Sequence, residues 1–164
     1  IRANLDMSCR LDVSLAEELD FVKQYVEVER PLVDGNFEFK LEVAPDIDLG
    51  KVHVPSMFVQ ILVENALVHG LRGWEGEKLL QVKVERRQNG MTSISVIDNG
   101  PGFDIRSTGK KRTGLTVLSQ TIAMINERNR SKMTFSMRNL KGEDGKVLGC
   151  ESSFCIPDEI NLSI

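Results

Sequence analysis

Apolar residues recur along this chain at two spacings, and the spacings predict strands and helices. Alternation of apolar residues along the chain predicts strands at 37–43, 80–85 and 133–137. Strands are also predicted at 91–98 and near Phe154. Helical spacing indicates helices at 14–30, 55–70 and along the stripe Leu115–Ile125. Strands interleaved with helices favour one mixed sheet with helices packed on one face, an α/β (α+β) two-layer sandwich.

Local signals mark where these elements begin and end. Ser14 and Glu17 form a capping box at the start of the first helix, and Pro31 ends that helix. Gln88-Asn89-Gly90 has the composition of a tight turn between two strands. Pro55 suits the first position of the second helix and Gly70 suits its end, so that residues 45–54 form a polar connection.

Polar residues interrupt this pattern at three places. The helix at 55–70 is apolar nearly all round, which predicts burial between layers and makes Glu64 and Asn65 anomalous. Asp98 lies on the same strand face as Ile94 and Val96. Thr113-Gly114 opens the third helix after a loop that carries Lys110, Lys111 and Arg112.

Asp98 is the most informative of these residues. A carboxylate on an apolar face costs on the order of 2–7 kcal/mol unless it is hydrogen-bonded, and this strand contains no Lys or Arg to pair with it. A ligand donor such as the exocyclic amine of a purine would satisfy it. Gly100 and Gly102 follow, and they allow a sharp turn and a close approach to such a ligand. Asp-Asn-Gly-Pro-Gly is also typical of a purely structural turn.

The other two interruptions suit the remaining parts of a nucleotide. Asn65 offers a neutral oxygen to Mg²⁺, which takes few protein ligands, and His69 lies about one turn later. The start of the third helix at Gly114, with the cations before it, is a ready phosphate site, although such charge runs are often only solvated. The P-loop pattern is absent from the sequence.

Composition narrows the classes of function. The 164 residues are 41% hydrophobic with a net charge of −3, which suits one cored domain and argues against a nucleic-acid partner. No stretch approaches the ~20 apolar residues of a membrane span. Cys9, Cys150 and Cys155 lack metal-ligand spacing and favour a reducing, cytoplasmic setting.

These motifs, in this order, resemble the GHKL ATP-binding domains, and within them the LytS-type sensor histidine kinases. Residues 54–70 are similar to the N box, 96–103 to the first glycine box and 112–126 to the second. Residues 14–30 look like the helix after the phosphoacceptor segment. The resemblance implies a GHKL ATPase-like fold with residues 35–164 as the ATP-binding catalytic domain, and 1–34 as the tail of the dimerisation and phosphoacceptor region.

The resemblance also implies roles for individual residues. Asn65 would bind Mg²⁺ and Asp98 the adenine, Glu64 would activate or orient the acceptor imidazole, and His69 would lie near the phosphates or ribose. The remaining nucleotide contacts would come from Gly100, Gly102, Lys110, Arg112, Thr113, Gly114 and Leu115.

The implied activity is transfer of the γ-phosphate of ATP to a histidine outside this chain. The implied partners are the phosphoacceptor helix of the same kinase, homodimeric at full length, and a response regulator. The setting would be the cytoplasmic part of an inner-membrane sensor, with any membrane anchor in segments outside this chain.

Two departures from the family pattern keep alternatives open. Arg112 stands where the second glycine box usually begins with glycine, and it would either clamp a phosphate or stiffen the loop. A Pro-His-Phe segment with the acceptor histidine is not found. The alternatives are a stand-alone GHKL ATPase or anti-sigma-type protein kinase, and a degenerate nucleotide-binding regulatory module.

Overall fold

The computed structural model describes residues 12–103 and 113–163. A 3₁₀ turn at Arg30–Leu32 and a π-helical turn at Ala66–Leu71 accompany ten regular elements. The elements are β1 (Asp12–Ser14), α1 (Leu15–Glu29), β2 (Phe37–Val43), β3 (His53–Pro55), α2 (Phe58–Asn65), β4 (Lys78–Arg86), β5 (Met91–Asp98), α3 (Thr113–Glu127), β6 (Thr134–Lys141) and β7 (Val147–Pro157).

The main sheet has five strands in the order β2-β4-β5-β7-β6, and β5 is its central strand. Strands β2 and β4 are parallel, and the other neighbours are antiparallel, so the sheet is mixed as predicted. A separate two-stranded ribbon pairs β1 with β3.

One face of the sheet carries the core. Alternate residues of β4 and β5, among them Val82, Val84, Ile94 and Val96, are at most 1% exposed. The predicted apolar stripes of α1 and α3 are buried in the same core as the sheet, and charged residues alternate on β2 toward the opposite face. This arrangement confirms the predicted two-layer sandwich.

Helix α1 begins as the sequence predicts. The Ser14 side chain accepts a hydrogen bond from the Glu17 backbone N–H at 3.2 Å, and the helix ends at Glu29, before Pro31. Leu15, Leu19 and Val22 are at most 2% exposed, so this helix is packed into the core.

The second helix differs from its predicted bounds. Pro55 is the last residue of β3, paired with Asp12, and it is not the first residue of the helix. Helix α2 begins at Phe58, after Met57 in a left-handed conformation with φ +74°. Part of the connection predicted at 45–54 is therefore strand, because β1 offers His53–Pro55 a partner. At the other end, Gly70 lies inside the π-helical turn and does not follow the helix as a cap.

Candidate functional site

Asp98 lies on the core face of the sheet, at the end of its central strand. It pairs with Leu80 of β4 and Cys150 of β7, and it is 4% exposed. Its Oδ1 atom accepts a hydrogen bond from the backbone N–H of Gly100 at 2.9 Å. The expectation that a ligand is needed to satisfy the carboxylate was therefore incomplete, because the following turn supplies a donor.

Two glycines close around this carboxylate. A Cβ atom on Gly70 would lie 2.8 Å from Oδ2 of Asp98, and a Cβ on Gly100 would lie 2.1 Å from the carbonyl oxygen of Gly70. Both distances are shorter than van der Waals contact, so a side chain at either position would displace its neighbours. The structure thus brings the end of the predicted N box against the first glycine box.

The π-helical turn produces this contact. Residues Ala66–Leu71 follow α2 with wider spacing, and the Arg72 N–H donates to the Leu67 carbonyl at 2.8 Å, five residues back. Gly70 lies within this wider turn, where it packs against Asp98. Such π-helical turns occur mostly as single turns and often at functional sites.

The three N-box side chains differ in exposure. Glu64 and His69 are exposed and Asn65 is half-buried, whereas Leu62 and Val63 are completely buried. The prediction that this helix is enclosed on all sides was wrong, because one side of α2 remains open. Glu64 therefore is not a buried anomaly but an accessible carboxylate.

Asn65 is suited to a hard cation. Among the residues that the structure describes, none hydrogen-bonds the Asn65 side chain, and no group of three or more His, Cys, Asp or Glu residues is placed to hold a metal there. Mg²⁺ commonly keeps several waters and takes one or two protein ligands plus phosphate oxygens. The residues present fit a magnesium ion that arrives with a nucleotide.

The turn after Asp98 is fixed from both sides by asparagines that the sequence argument missed. Asn99 accepts from the Leu79 N–H at 2.8 Å and donates to the Glu77 carbonyl at 2.9 Å. Asn139 of β6 accepts from the Phe103 N–H and donates to the Phe103 carbonyl, both at 2.9 Å.

Asn139 also explains one of the predicted glycines. Gly102 has φ +82°, and a Cβ there would lie 2.5 Å from Oδ1 of Asn139. The signal for Asn139 was present in the sequence, because it continues the apolar alternation of Met133, Phe135 and Met137 as a polar residue on a core-facing position. Asp98 shows the same kind of interruption.

The start of α3 packs on α2. A Cβ on Gly114 would lie 3.0 Å from Cγ2 of Ile61, so the second glycine box is positioned against the N-box helix. Leu115 is half-buried and packs against the core. Lys110, Arg112 and the side chain of Thr113 fall outside the described residues, and so does most of the predicted loop before α3.

The charge of Glu64 acts on helix α1. The pKa of Tyr25 is raised to about 12, first by burial and then by the negative charges of Glu29 and Glu64, against the opposing effect of Arg72. Tyr25 of helix α1 therefore lies within electrostatic range of the Glu64 carboxylate.

Solved structures with this fold include histidine kinases. The catalytic domain of histidine kinase ThkA superposes with a TM-score of 0.60 at 18% identity, covering 92% of this chain and 97% of that one. The mycobacterial sensor histidine kinase MprB gives a TM-score of 0.60 at 17% identity, with 89% and 95% covered. The fold is that of a histidine kinase catalytic domain.

Proteins similar in sequence also include sensor histidine kinases. Sensor histidine kinase YpdA of Escherichia coli (strain K12) is 28% identical over 97% of this chain and 27% of its own length. YesM of Bacillus subtilis (strain 168) is 31% identical over 68% of this chain and 19% of its own length. Sensor histidine kinase/phosphatase LytS of Staphylococcus aureus (strain MRSA252) is 33% identical over 62% and 17%. No family model matches the chain.

The chain is thus similar in sequence to sensor histidine kinases, and it has the fold of histidine kinase catalytic domains. LytS-type kinases are among its relatives, and the resemblance expected from the motifs is confirmed. The chain spans about a quarter of the length of YpdA and about a fifth of YesM. Within residues 12–103 and 113–163, no helix combines the length and apolar character needed to cross a bilayer.

Proposed function

We propose that this chain binds ATP with Mg²⁺ and presents the γ-phosphate to a histidine that lies outside it. The observation that carries the proposal is the buried carboxylate of Asp98, closed in by two glycines at which an added Cβ would be too close to its neighbours. Residues 35–164 would form the ATP-binding domain, and 1–34 would be the tail of the phosphoacceptor region. Both segments would belong to the cytoplasmic part of an inner-membrane sensor.

Each part of the nucleotide has a candidate contact. Asp98 would accept a hydrogen bond from the exocyclic amine of adenine, and the backbone at Gly100 and Gly102 would border the base. Asn65 would hold Mg²⁺, which offsets the charge of the phosphates. His69 and the start of α3 at Gly114 would lie toward the phosphates, with Lys110, Arg112, Thr113 and Leu115 as further proposed contacts.

Glu64 would act on the acceptor rather than on the nucleotide. Its carboxylate is exposed on the open side of α2, where an incoming imidazole can reach it. By accepting the N–H proton of one imidazole nitrogen, Glu64 would orient the other nitrogen for attack on the γ-phosphorus. Phosphoryl transfer depends mainly on such positioning and on charge neutralisation.

The acceptor would be the phosphoacceptor helix of the same kinase, dimeric at full length. The phosphohistidine would then donate its phosphoryl group to a response regulator. The chain contains two histidines, His53 and His69, and neither is proposed as the acceptor.

Calorimetric titration of Mg·ATP tests the proposal. We expect binding to the wild-type chain, and loss of binding in Asp98→Ala because the adenine amine loses its acceptor. Asp48→Ala, an exposed acid in the loop before β3, is the matched control and should bind like the wild type. Absence of binding to the wild type would support a degenerate regulatory module.

The isolated chain should bind ATP without phosphorylating itself. Acid-labile phosphate that accumulates on the isolated chain would contradict the placement of the acceptor outside it. Steady release of inorganic phosphate that disappears in Glu64→Ala would favour the stand-alone ATPase.

A further inference from the structure

The N-box helix begins at a strained residue that a buried carboxylate holds in place. Met57 is the one non-glycine residue with positive φ among those described. Its backbone N–H donates to Oε2 of Glu18 on α1 at 2.9 Å, and Glu18 is 2% exposed. Side chains other than glycine rarely adopt this conformation, and they keep it only where the surroundings enforce it.

A carboxylate at the position of Glu18 is energetically unfavourable, because the side chain is buried. It lies on the buried side of α1, next in sequence to Leu19 and one turn from Leu15, and both of these are in the core. Burial raises the pKa of Glu18 to about 7, and the Met57 N–H opposes that shift. An apolar side chain would avoid this cost, so the carboxylate is better explained by what it holds than by packing.

Helix α1 contacts the same segment again at its far end. Oε2 of Glu29 lies 3.1 Å from Nη2 of Arg72, directly after the π-helical turn. Between the two contacts, Tyr25 lies within the electrostatic influence of Glu64. Helix α1 therefore contacts the N-box segment at both of its ends, through Glu18 and Glu29.

We propose that Glu18 is a positioning residue for the nucleotide site: its carboxylate fixes the start of α2, and through that helix it sets the positions of Glu64 and Asn65. Helix α2 has eight residues, so its two ends are about 12 Å apart, and a rigid helix transmits a change of direction at Met57 to Asn65. The inference rests on the proposed function, because it assigns Glu18 to the same nucleotide site.

Two substitutions of similar size separate positioning from packing. Glu18→Gln keeps an oxygen that accepts from the Met57 N–H, and we expect the Kd for Mg·ATP to stay within about threefold of the wild type. Glu18→Met removes the acceptor, and we expect the Kd to rise about tenfold, a change of roughly 1.4 kcal/mol. Asp20→Asn, an exposed change on the same helix, is the control.

Stability distinguishes this role from a purely structural one. Glu18→Met removes a buried carboxylate, so we expect its midpoint of urea unfolding to equal or exceed that of the wild type while its affinity for Mg·ATP falls. If affinity instead follows stability across the variants, or if Glu18→Met binds like the wild type, the positioning role is wrong.

A second substitution tests the route through Met57. Glycine adopts positive φ without strain, so Met57→Gly needs no carboxylate to hold it. In that background we expect Glu18→Met to change the Kd by less than about threefold. A tenfold loss in both backgrounds would overturn the proposal.

Amide hydrogen exchange separates failure of this inference from failure of the proposed function. If the wild-type chain does not bind Mg·ATP, the proposed function fails, and the contact is tested without nucleotide. The amides of Met57 and residues 58–65 should exchange faster in Glu18→Met than in Glu18→Gln or Asp20→Asn. Equal exchange in the three variants would refute a positioning role for Glu18.

Discussion

Gly70→Ala is the sharpest test of the contact between the N box and the first glycine box. An added Cβ would lie 2.8–2.9 Å from Cγ, Oδ1 and Oδ2 of Asp98, about half an ångström inside ordinary contact. In an open helical position the same substitution stabilises by roughly 0.5–1 kcal/mol. Overpacking a filled site costs about 1–3 kcal/mol. We therefore expect the variant to be less stable by about 1–2 kcal/mol, although its intrinsic helix propensity is higher.

The change in free energy of unfolding is measured by urea denaturation. Asp98→Ala removes all three atoms that the new Cβ would contact, so in that background Gly70→Ala should become neutral or stabilising. The double-mutant cycle should then show a coupling energy of at least about 1 kcal/mol. Gly50→Ala is the control, because its Cβ would meet only Oδ1 of Asp48, at 3.4 Å. If Gly70→Ala costs the same with and without the Asp98 carboxylate, the two segments do not pack as described.

Three further predictions follow from the same structure. The folded-state pKa of Glu18, about 7, exceeds its ordinary value of 4.5. Between these pH values the folded chain therefore binds more protons than the unfolded chain. The free energy of unfolding should fall by up to about 3 kcal/mol as the pH rises from 4.5 to 7. Glu18→Gln should abolish this fall in urea titrations across that range, and an identical pH dependence would contradict the assignment. Asn139→Ala removes both hydrogen bonds to Phe103 and should cost about 2 kcal/mol in the same assay, whereas Asn139→Asp, which keeps the acceptor, should cost about half as much. Glu64→Gln should slow phosphate transfer to a phosphoacceptor segment supplied in trans about a hundredfold while Mg·ATP affinity is retained, and parallel losses of both would place Glu64 in nucleotide binding.

The sequence was sufficient for the layers of the fold and for the order of the motifs. Strand period two placed β2, β4 and β6, because each of these strands alternates between a more buried and a more exposed face. The helix stripe of α1 and its Ser14 cap were predicted for the same kind of reason: spacing and capping are local properties. Asp98 was selected as a candidate because it interrupts a local pattern.

The features that the sequence did not predict depend on contacts between distant segments. The left-handed conformation of Met57 accompanies the bond to Glu18, 39 positions earlier. Pro55 is in a strand because β1 lies beside it, although a proline also suits the first position of a helix. Asn139 binds Phe103 across 36 positions, and no local pattern encodes that pairing. The contact of Gly70 with Asp98 also required the π-helical turn, which single-residue propensities do not specify.

The place of Asp98 on the middle strand has a consequence for how nucleotides would be selected and released. Strand β5 is paired with β4 on one side and β7 on the other as far as residue 98. The part of the sheet that would contact the base is therefore formed before any ligand binds. Discrimination among purines would then be a fixed property of the sheet, with little entropy lost when the base docks. Entry and departure, in contrast, would be governed by the helices proposed to lie near the phosphates. Mutations that alter the choice of base and mutations that alter the lifetime of the complex should therefore fall in different layers of the protein.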